Sequence, residues 1–296
     1  MDISVCIASF RRPGGLYRLL ESLERQAGEI PDFEVVVVDN DHAETASSVY
    51  EQFQERIRIR YFVEPLRGIA RARNRCVRES VGQYLAFIDD DEEASPRWLD
   101  ALYTQATHQD ADAVFGPVVT RFERPPPPWI RDCSVFNRPI PADGATVPVF
   151  MTHTGNALVR RKSLPDQTAP FDPCLLAGED TDMFDRMIKH GAKCTAATAA
   201  VVIEHCPVAR ARAAWVFRRR FRFGGSIARR KWRGLSRARR LREAVRAGGE
   251  FHRHMWAALS QLSHSRIASF ESAQQAIQSL GKIAWVAGFK DSEYGL

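Results

Sequence analysis

Three consecutive aspartates follow the apolar segment YLAFI, and two glutamates follow them, at positions 89–93. Adjacent carboxylates repel one another, by roughly 3 kcal/mol for two unit charges near 5 Å at an effective dielectric constant of 20. A divalent cation such as Mg²⁺ or Mn²⁺ would offset the repulsion, since both prefer oxygen ligands. In an extended chain Asp89 and Asp91 share one face and would act together. The alternative is an acidic helix start ahead of Pro96, where carboxylates favour the helix dipole.

Other polar residues stand where predicted elements begin or end. Asp39 ends the apolar segment FEVVVVD, where it would accept hydrogen bonds from a nucleobase or ribose, or cap a turn. Glu179 and Asp180 precede a predicted helix, and a carboxylate there would take a proton from an attacking hydroxyl or simply favour the helix start. His205 ends another apolar segment. None of these residues decides by itself between a catalytic and a structural role.

The elements that must position these residues alternate between strand and helix. The predicted strands are 3–8, 33–39, 57–63, 83–89 and 111–118. The predicted helices are 14–26, 43–54, 68–80 and one that opens at Pro96. Such alternation indicates a mostly parallel α/β sheet, in which ligands bind at the carboxyl ends of the strands. Asp39 and the aspartate triplet both fall at such ends.

The second half of the chain is less regular. Residues 120–150 are rich in proline and predict a long irregular loop, either functional or a plain surface connection. A strand is expected within 152–164, a loop that enters a helix within 176–192, and a strand at 199–206. From Ala213 onward the pattern is mostly helical.

A strongly basic segment lies near the start of this helical region. Residues 209–246 contain fifteen Lys/Arg and one Glu, a net charge of +14. The whole chain has a net charge of +6, so the remaining residues together carry −8. Apolar side chains and glycine recur at helical spacing at 214, 217, 221, 225, 228, 232 and 235. The pattern suits a helix on an anionic membrane surface, or one packed on the catalytic domain. Nucleic acid is disfavoured, because the rest is acidic and no nucleic-acid module is recognisable. Gly224 and Gly225 predict a break in this helix.

Composition excludes several classes of protein. No apolar run approaches the length of about 18 residues that a membrane-spanning helix needs. The start MDISVCIASFRRP has no basic region before a long apolar stretch, so we expect a cytoplasmic protein. The six cysteines form no CxxC pair, which argues against a zinc ribbon or a disulfide scaffold.

The ordered set of motifs resembles the family 2 glycosyltransferases, inverting enzymes with the GT-A fold. The resemblance rests on SVCIASFRRP, VVVVDND, GIARARN, GQYLAFIDDD, TGNALVRR, GEDTDMFDRM, the EH pair at 204–205 and RRFRFGGS. Within the family the chain looks most similar to exopolysaccharide glucosyltransferases of the succinoglycan type. The resemblance implies a GT-A catalytic domain at 1–208, with a donor half 1–118 and an acceptor half 119–208. A basic helical extension follows at 209–296.

The resemblance also implies roles for individual residues. Asp180 would be the catalytic base with Glu179 beside it, and Asp91 and His205 would hold Mn²⁺ or Mg²⁺. Gly155 and Asn156 would lie near the donor sugar or acceptor. The residues expected to bind the nucleotide sugar are Ala8, Phe10, Arg12, Asp39, Arg73, Asn74, Asp89 and Asp90. Either of two helix arginines, Arg219 or Arg222, would reach the diphosphate.

The resemblance implies transfer of a hexose from a UDP-sugar to a lipid-linked saccharide acceptor in exopolysaccharide synthesis. The similarity to succinoglycan-type enzymes implies that the hexose is glucose. Such an enzyme would work at the inner face of the plasma membrane, which 213–235 would contact. The first strand continues as AlaSerPhe, where many family members carry a ThrTyr pair, so base contacts would rest on stacking against Phe10. One alternative is a sugar nucleotidyltransferase, although SFRRPGG is not the GxGTR-type loop of that class. The other is a non-catalytic module that binds through its basic helix.

Overall fold

Residues 1–29, 31–175 and 177–289 are described by the computed structural model. The strands are β1 (Ile3–Ser9), β2 (Phe33–Asp39), β3 (Ile59–Val63), β4 (Tyr84–Ile88), β5 (Glu92–Ala94), β6 (Ala113–Phe115), β7 (Val118–Phe122), β8 (Asn156–Arg160), β9 (Cys194–Ala196) and β10 (Val202–Cys206). The helices are α1 (Pro13–Glu24), α2 (Ser47–Phe53), α3 (Ile69–Glu79), α4 (Trp98–His108), α5 (Pro128–Arg131), α6 (Glu179–Lys189), α7 (Ala213–Trp232), α8 (Arg237–Gln261) and α9 (Arg266–Val286).

The chain forms a large, mostly parallel sheet, as predicted. Its strand order is β3-β2-β1-β4-β8-β6-β9. The pairs β1–β2, β2–β3, β1–β4 and β6–β9 are parallel, whereas β8 runs antiparallel to β4 and β6. A smaller sheet has the order β5-β10-β7.

Both faces of the large sheet are covered by helices, because its strands are apolar on both sides. Val35 and Val37 of β2 pack with the leucines of α1 and with α2 and α4. Val36 and Val38 face the other way and pack with α3 and α6. This alternation is the period of two that a strand imposes on its side chains. Continuous apolar runs such as VVVV are typical of strands that are buried on both faces.

The strand predicted at 111–118 is two strands, β6 and β7, in different sheets. The chain turns away at Gly116 and Pro117, because proline cannot donate a ladder hydrogen bond. A Cβ at Gly116 would lie 2.1 Å from the carbonyl oxygen of Ala200, so only glycine fits there. The short strands β5 and β9 were not predicted, since three residues carry too little pattern.

The chain divides into two compact units. The first comprises Met1–Arg121, Arg138–Pro173 and Glu179–His205 and contains the large sheet. The second comprises Phe122–Asn137, Cys174–Gly178 and Cys206–Leu296 and is largely helical. The longest segment of the second unit begins at Cys206, close to the predicted boundary at 208/209. Its two shorter segments, 122–137 and 174–178, fall within the predicted catalytic domain.

Helix α7 is unbroken, so the predicted break at Gly224 and Gly225 is wrong. A Cβ on Gly224 would lie 1.9 Å from the carbonyl oxygen of Gln278 on α9. A Cβ on Gly281 of α9 would lie 2.0 Å from the carbonyl oxygen of Phe221 on α7. The glycines therefore let the two backbones approach closely, and this packing offsets their low helix propensity.

Two adjacent glycine substitutions are expected to change stability in opposite directions. Gly224→Ala should lower the free energy of unfolding by about 1–3 kcal/mol, because the new methyl group forces α7 and α9 apart. Gly225→Ala is the matched control, since its Cβ would meet its nearest neighbour, the carbonyl oxygen of Gly281, at 3.7 Å. It should raise stability by up to about 1 kcal/mol through helix propensity. Urea unfolding of both variants measures the difference; equal effects would contradict the close crossing.

Candidate active site

Several of the predicted site residues lie at one edge of the large sheet. Strands β1, β2 and β4 are parallel and end there, while the antiparallel β8 begins there, with Asn156 opposite Ile88. Phe10 and Asp89 directly follow β1 and β4, and Asp39 is the last residue of β2. In open α/β sheets ligands bind at the carboxyl ends of the strands.

The aspartate triplet is divided by a turn after β4. Because the Glu92 N–H donates to the Asp89 carbonyl oxygen over 3.1 Å, Asp89 and Asp91 do not share the face of an extended chain. Asp89 accepts a hydrogen bond of 2.7 Å from Arg73. Burial disfavours its charged form, but the Arg73 cation outweighs that effect and lowers the pKa of Asp89.

Asp90 organises the loop between β1 and α1. Its carboxylate accepts hydrogen bonds from the Ser9 hydroxyl and the Phe10 N–H, both 3.0 Å, and from Arg12 at 2.8 Å. Burial raises the pKa of Asp90 to about 6 against the charge of Arg12. Arg12 also donates to Asp91 over 3.1 Å. It therefore lies beside two of the three aspartates.

Asp91 and His205 lie opposite each other across two antiparallel strands. The ladder pairs Glu92 with Glu204, and the His205 N–H donates to the Asp91 carbonyl oxygen at 2.9 Å. Opposite residues in an antiparallel pair point to the same face. The His205 ring lies 3.1 Å from a Glu93 oxygen. The two predicted metal ligands are therefore neighbours along their backbones, while the Asp91 carboxylate bonds Arg12 and the His205 ring faces Glu93.

The donor set fits a metal that is shared with a substrate. Among the described residues, no group of three His, Cys, Asp or Glu side chains is arranged to hold a metal. Mg²⁺ is usually held by one or two carboxylates together with substrate phosphates, so a complete protein cage is not required. Asp91, with His205 beside it, supplies such a partial set.

Arg73 joins two ends of the site. It is buried, and its guanidinium pairs with Asp89 after β4 and with Glu179 at the start of α6. Glu179 is also buried, so this carboxylate is bound to a cation inside the protein. Arg73 thus holds the first turn of α6 against the end of β4. This pairing could not be predicted from local patterns, because 106 positions separate Arg73 and Glu179.

Asp180 is partly exposed and lies beside two buried polar atoms. One of its oxygens accepts a hydrogen bond of 3.4 Å from the Thr154 N–H, and the other accepts one of 2.6 Å from the Thr181 N–H. Within the described residues, His153 Nδ1 and Thr154 Oγ1 have no hydrogen-bond partner. Burial lowers the pKa of His153 to about 4, with Arg138 adding to the effect. Its imidazole is therefore neutral at neutral pH.

Asp39 is fully buried, and protein donors surround it. It accepts hydrogen bonds from the Asp41 and Ala46 N–H groups, at 3.0 and 2.7 Å, and from the Tyr61 hydroxyl at 3.0 Å. Burial, followed by the charge of Asp39, raises the pKa of Tyr61. The carboxylate fixes the loop that follows β2.

The loop after β1 presents an aromatic ring between two cations. Phe10 is partly exposed, and the guanidinium carbons of Arg11 and Arg67 each lie 5.1 Å from its ring centroid. Ala8, near the end of β1, is also partly exposed. An aromatic face with nearby positive charge suits a stacked base with a phosphate group.

Three predicted site residues have structural contacts. Asn156 is fully buried, donates to the Pro117 and Ala200 carbonyl oxygens and accepts from the Trp98 ring N–H. It therefore lies in the core and not at a surface that a sugar reaches. Asn74 bonds through both ends of its amide to the backbone of Phe171. Gly155 is buried against Glu92, whose carboxylate oxygen lies 2.7 Å from the position of an added Cβ.

Glu92 is a further acidic residue that sequence reasoning left without a role. It is buried, and its carboxylate accepts a hydrogen bond of 2.7 Å from the Asp89 N–H. Burial raises the pKa of Glu92 well above its usual value, and the nearby charges of Asp89, Glu204 and Asp91 add to the effect. Burial therefore disfavours the charged form of Glu92 at this edge of the sheet.

The two predicted diphosphate arginines belong to the helical unit. Arg219 and Arg222 lie on α7, and the Arg219 guanidinium lies 5.5 Å from the centroid of the Trp215 ring. Most of the predicted apolar stripe of α7 packs inside this unit, where Phe217 meets Phe270 and Trp232 packs near Ile283. In the described part of the chain, no helix is both long enough and apolar enough to cross a bilayer.

Comparison with known sequences identifies similar proteins. The model of the family described as glycosyl transferase family 2 matches residues 4–167. The succinoglycan biosynthesis protein ExoM of Rhizobium meliloti is 35% identical over 250 residues, which cover 80% of this chain and 78% of that protein. A validoxylamine A glucosyltransferase of Streptomyces hygroscopicus is 34% identical over 102 residues, 34% of this chain and 24% of that protein.

Comparison with solved structures identifies the fold. TarS of S. aureus, residues 1–349 in complex with UDP, superposes with a TM-score of 0.59 at 14% identity, covering 98% of this chain and 92% of that one. The mannosyltransferase PcManGT of Pyrobaculum calidifontis, in complex with GDP-Man and Mn²⁺, gives a TM-score of 0.58 at 16% identity, covering 98% and 76%. The predicted GT-A fold is thereby confirmed.

Proposed function

The chain belongs to glycosyl transferase family 2 and is a glycosyltransferase. We propose that it transfers a hexose from a UDP-sugar to a saccharide acceptor, and that the hexose is glucose by analogy with its relatives. The acceptor would be lipid-linked and part of exopolysaccharide synthesis. ExoM's role in succinoglycan biosynthesis supports this choice. Family membership decides against a sugar nucleotidyltransferase and against a non-catalytic binding module.

The observation that carries the proposal is the double ion pair of Arg73. It holds the acidic end of β4, where the donor diphosphate would lie, against the start of α6, where Asp180 stands. Donor group and base are thus held at one edge of the sheet. Effective catalysis needs this positioning, since aligned groups replace a bimolecular encounter.

Asp180 would act as the general base. It is partly exposed and anchored through Thr154 and Thr181, whereas Glu179 is buried against Arg73. An acceptor hydroxyl would give its proton to Asp180 while its oxygen attacks the anomeric carbon opposite the diphosphate. One bond to that carbon forms as the other breaks, so the configuration inverts.

The donor would be bound by residues of β1, β2 and β4. The uracil would stack on Phe10 near Ala8, and Asp89, Asp90 and Arg12 would lie beside the ribose and diphosphate. Asp39, Arg73 and Asn74 would act by holding the surrounding loops. Asp91 and His205 would hold Mn²⁺ or Mg²⁺, which when bound stabilises the negative charge of the leaving diphosphate. TarS was solved with UDP and UDP-GlcNAc, and PcManGT with Mn²⁺, which supports this choice of ligands.

A thermal-shift panel tests the donor and metal together. UDP, GDP and CMP are each added with Mn²⁺, Mg²⁺ or EDTA. A ligand at 100 times its dissociation constant stabilises the protein by about 2.7 kcal/mol, which is roughly 5–10 °C for a chain of this size. We expect this shift with UDP and a metal, and its loss in EDTA.

Two variants assign the metal ligand within the same panel. Asp91→Ala should remove the metal-dependent part of the shift. Asp185→Ala, which removes a carboxylate paired with Lys189 on α6, should keep it. If the UDP shift were unchanged in EDTA, the diphosphate would be bound by Arg12 and its neighbours rather than through a metal. If none of the nucleotides produced a shift, the proposed donor would be overturned.

A further inference from the structure

Helix α8 leaves a row of large apolar side chains in water. Leu241, Val245, Trp256 and Leu259 are each 62% exposed or more. At 100° per residue these four lie within a sector of about 60°, so they form one stripe along the helix. The opposite side of α8 carries the small buried residues Ala247 and Ala258, so the stripe points away from the rest of its unit.

The charges beside the stripe are positive. On the same helical wheel, Arg242 and Arg253 lie on one side of it and Arg237 lies on the other, and all three are exposed. The acidic residues of α8 are paired with cations, Glu243 with Arg246 and Glu250 with Lys282. An apolar stripe with a basic border is the pattern of a helix that lies in a membrane interface.

We infer that this face of α8, defined by Leu241, Val245, Trp256 and Leu259 with Arg237, Arg242 and Arg253, docks on an anionic lipid surface. Trp256 is suited to the headgroup level, where indole rings are enriched. A second copy of the chain is a poorer occupant, because a two-fold pairing of this stripe would set arginines against arginines. Membrane contact was predicted for residues 213–235, but most of the apolar stripe of α7 is covered inside its unit. We therefore assign the membrane contact to α8 instead.

The inference deepens the proposed use of a lipid-linked acceptor and rests on that proposal only for the choice of lipid. Its test reads binding to vesicles and not sugar transfer, so either proposal can fail alone. Purified full-length protein is sedimented with vesicles of phosphatidylcholine, or of phosphatidylcholine with phosphatidylglycerol. We expect it to pellet with the second kind only, and less at high salt.

Two sets of variants separate the basic border from the apolar stripe. Replacing Arg237, Arg242 and Arg253 together by Gln should weaken binding by on the order of 100-fold, about fivefold for each charge, whereas replacing them by Lys should preserve it. The pair Trp256→Ser and Leu259→Ser should also release the protein. The pair Val81→Ser and Val119→Ser, exposed residues of the sheet-containing unit, is the matched control and should not.

Several outcomes would overturn the inference. They are pelleting that does not depend on phosphatidylglycerol, unchanged binding by the Gln variant, and equal loss in the Lys variant. Light scattering without lipid tests whether a second copy of the chain covers the stripe instead. If the wild-type protein were a dimer and the Trp256→Ser, Leu259→Ser variant a monomer, the stripe would be a dimer interface. Circular dichroism melting confirms that each variant is folded.

Discussion

Asp180→Asn is expected to lower kcat by about 10²–10⁴, the usual contribution of a general base. The asparagine keeps one oxygen acceptor, for the Thr154 N–H, and loses the acceptor for the Thr181 N–H, but the Arg73–Glu179 ion pair still holds the start of α6 in place. The asparagine cannot take a proton from the acceptor hydroxyl. UDP-sugar binding, followed by thermal shift, should therefore be unchanged while turnover falls.

Asp182→Asn is the matched control on the same turn of α6. Its carboxylate forms a partly exposed pair with Arg186 four residues later at 3.0 Å, and an i,i+4 helix pair contributes only about 0.3–0.5 kcal/mol. Turnover should stay close to that of the wild type. If Asp180→Asn kept more than about a tenth of the wild-type kcat, the proton would have to go elsewhere, and the partly exposed Asp180 would be reduced to a helix-capping role.

Patterns that are local in sequence predicted the sheet and its ligand-binding edge. The run VVVV of β2 and the spaced leucines of α1 carry the period of their own element. Asp39 and Asp89 fall at strand ends that a parallel sheet brings to one side. The fold class and the set of candidate residues at this edge followed from those signals and from the family resemblance.

Contacts between distant segments were not predictable from one sequence. Arg73 could not be matched to Glu179, nor could Gly224 be recognised as a contact point with α9 rather than a break. In both cases the partner lies far along the chain, and only the packed structure supplies it. Asn156 was selected from a motif, but its three hydrogen bonds to Trp98, Pro117 and Ala200 and its full burial place it in the core.

Arg73→Met is expected to destabilise the protein by about 3–5 kcal/mol, because it leaves the buried Glu179 without its cation and removes the partner of the partly exposed Asp89 as well. At roughly 2–4 °C per kcal/mol this would lower the melting temperature by about 10 °C. Arg78→Met on the same helix is the control. Arg78 is exposed, and its pair with Glu64 is long at 4.0 Å, so its loss should cost less than about 1 kcal/mol.

The pH dependence distinguishes loss of a charge partner from simple loss of packing. Arg73 lowers the pKa of Asp89 in the folded protein, so its stabilisation is present above the unfolded pKa, about 3.9, and is lost as the pH falls through the folded value. Without Arg73, desolvation is opposed mainly by the weaker effect of Arg12, so the pKa of the partly exposed Asp89 rises and protonation on acidification removes part of the unpaired charge. The stability difference between wild type and Arg73→Met should therefore be largest at neutral pH and shrink towards pH 4. A difference that stays constant over this range would mean that Arg73 acts by filling space, and the ion pairs would no longer explain how α6 and Asp180 are held at the edge of the sheet.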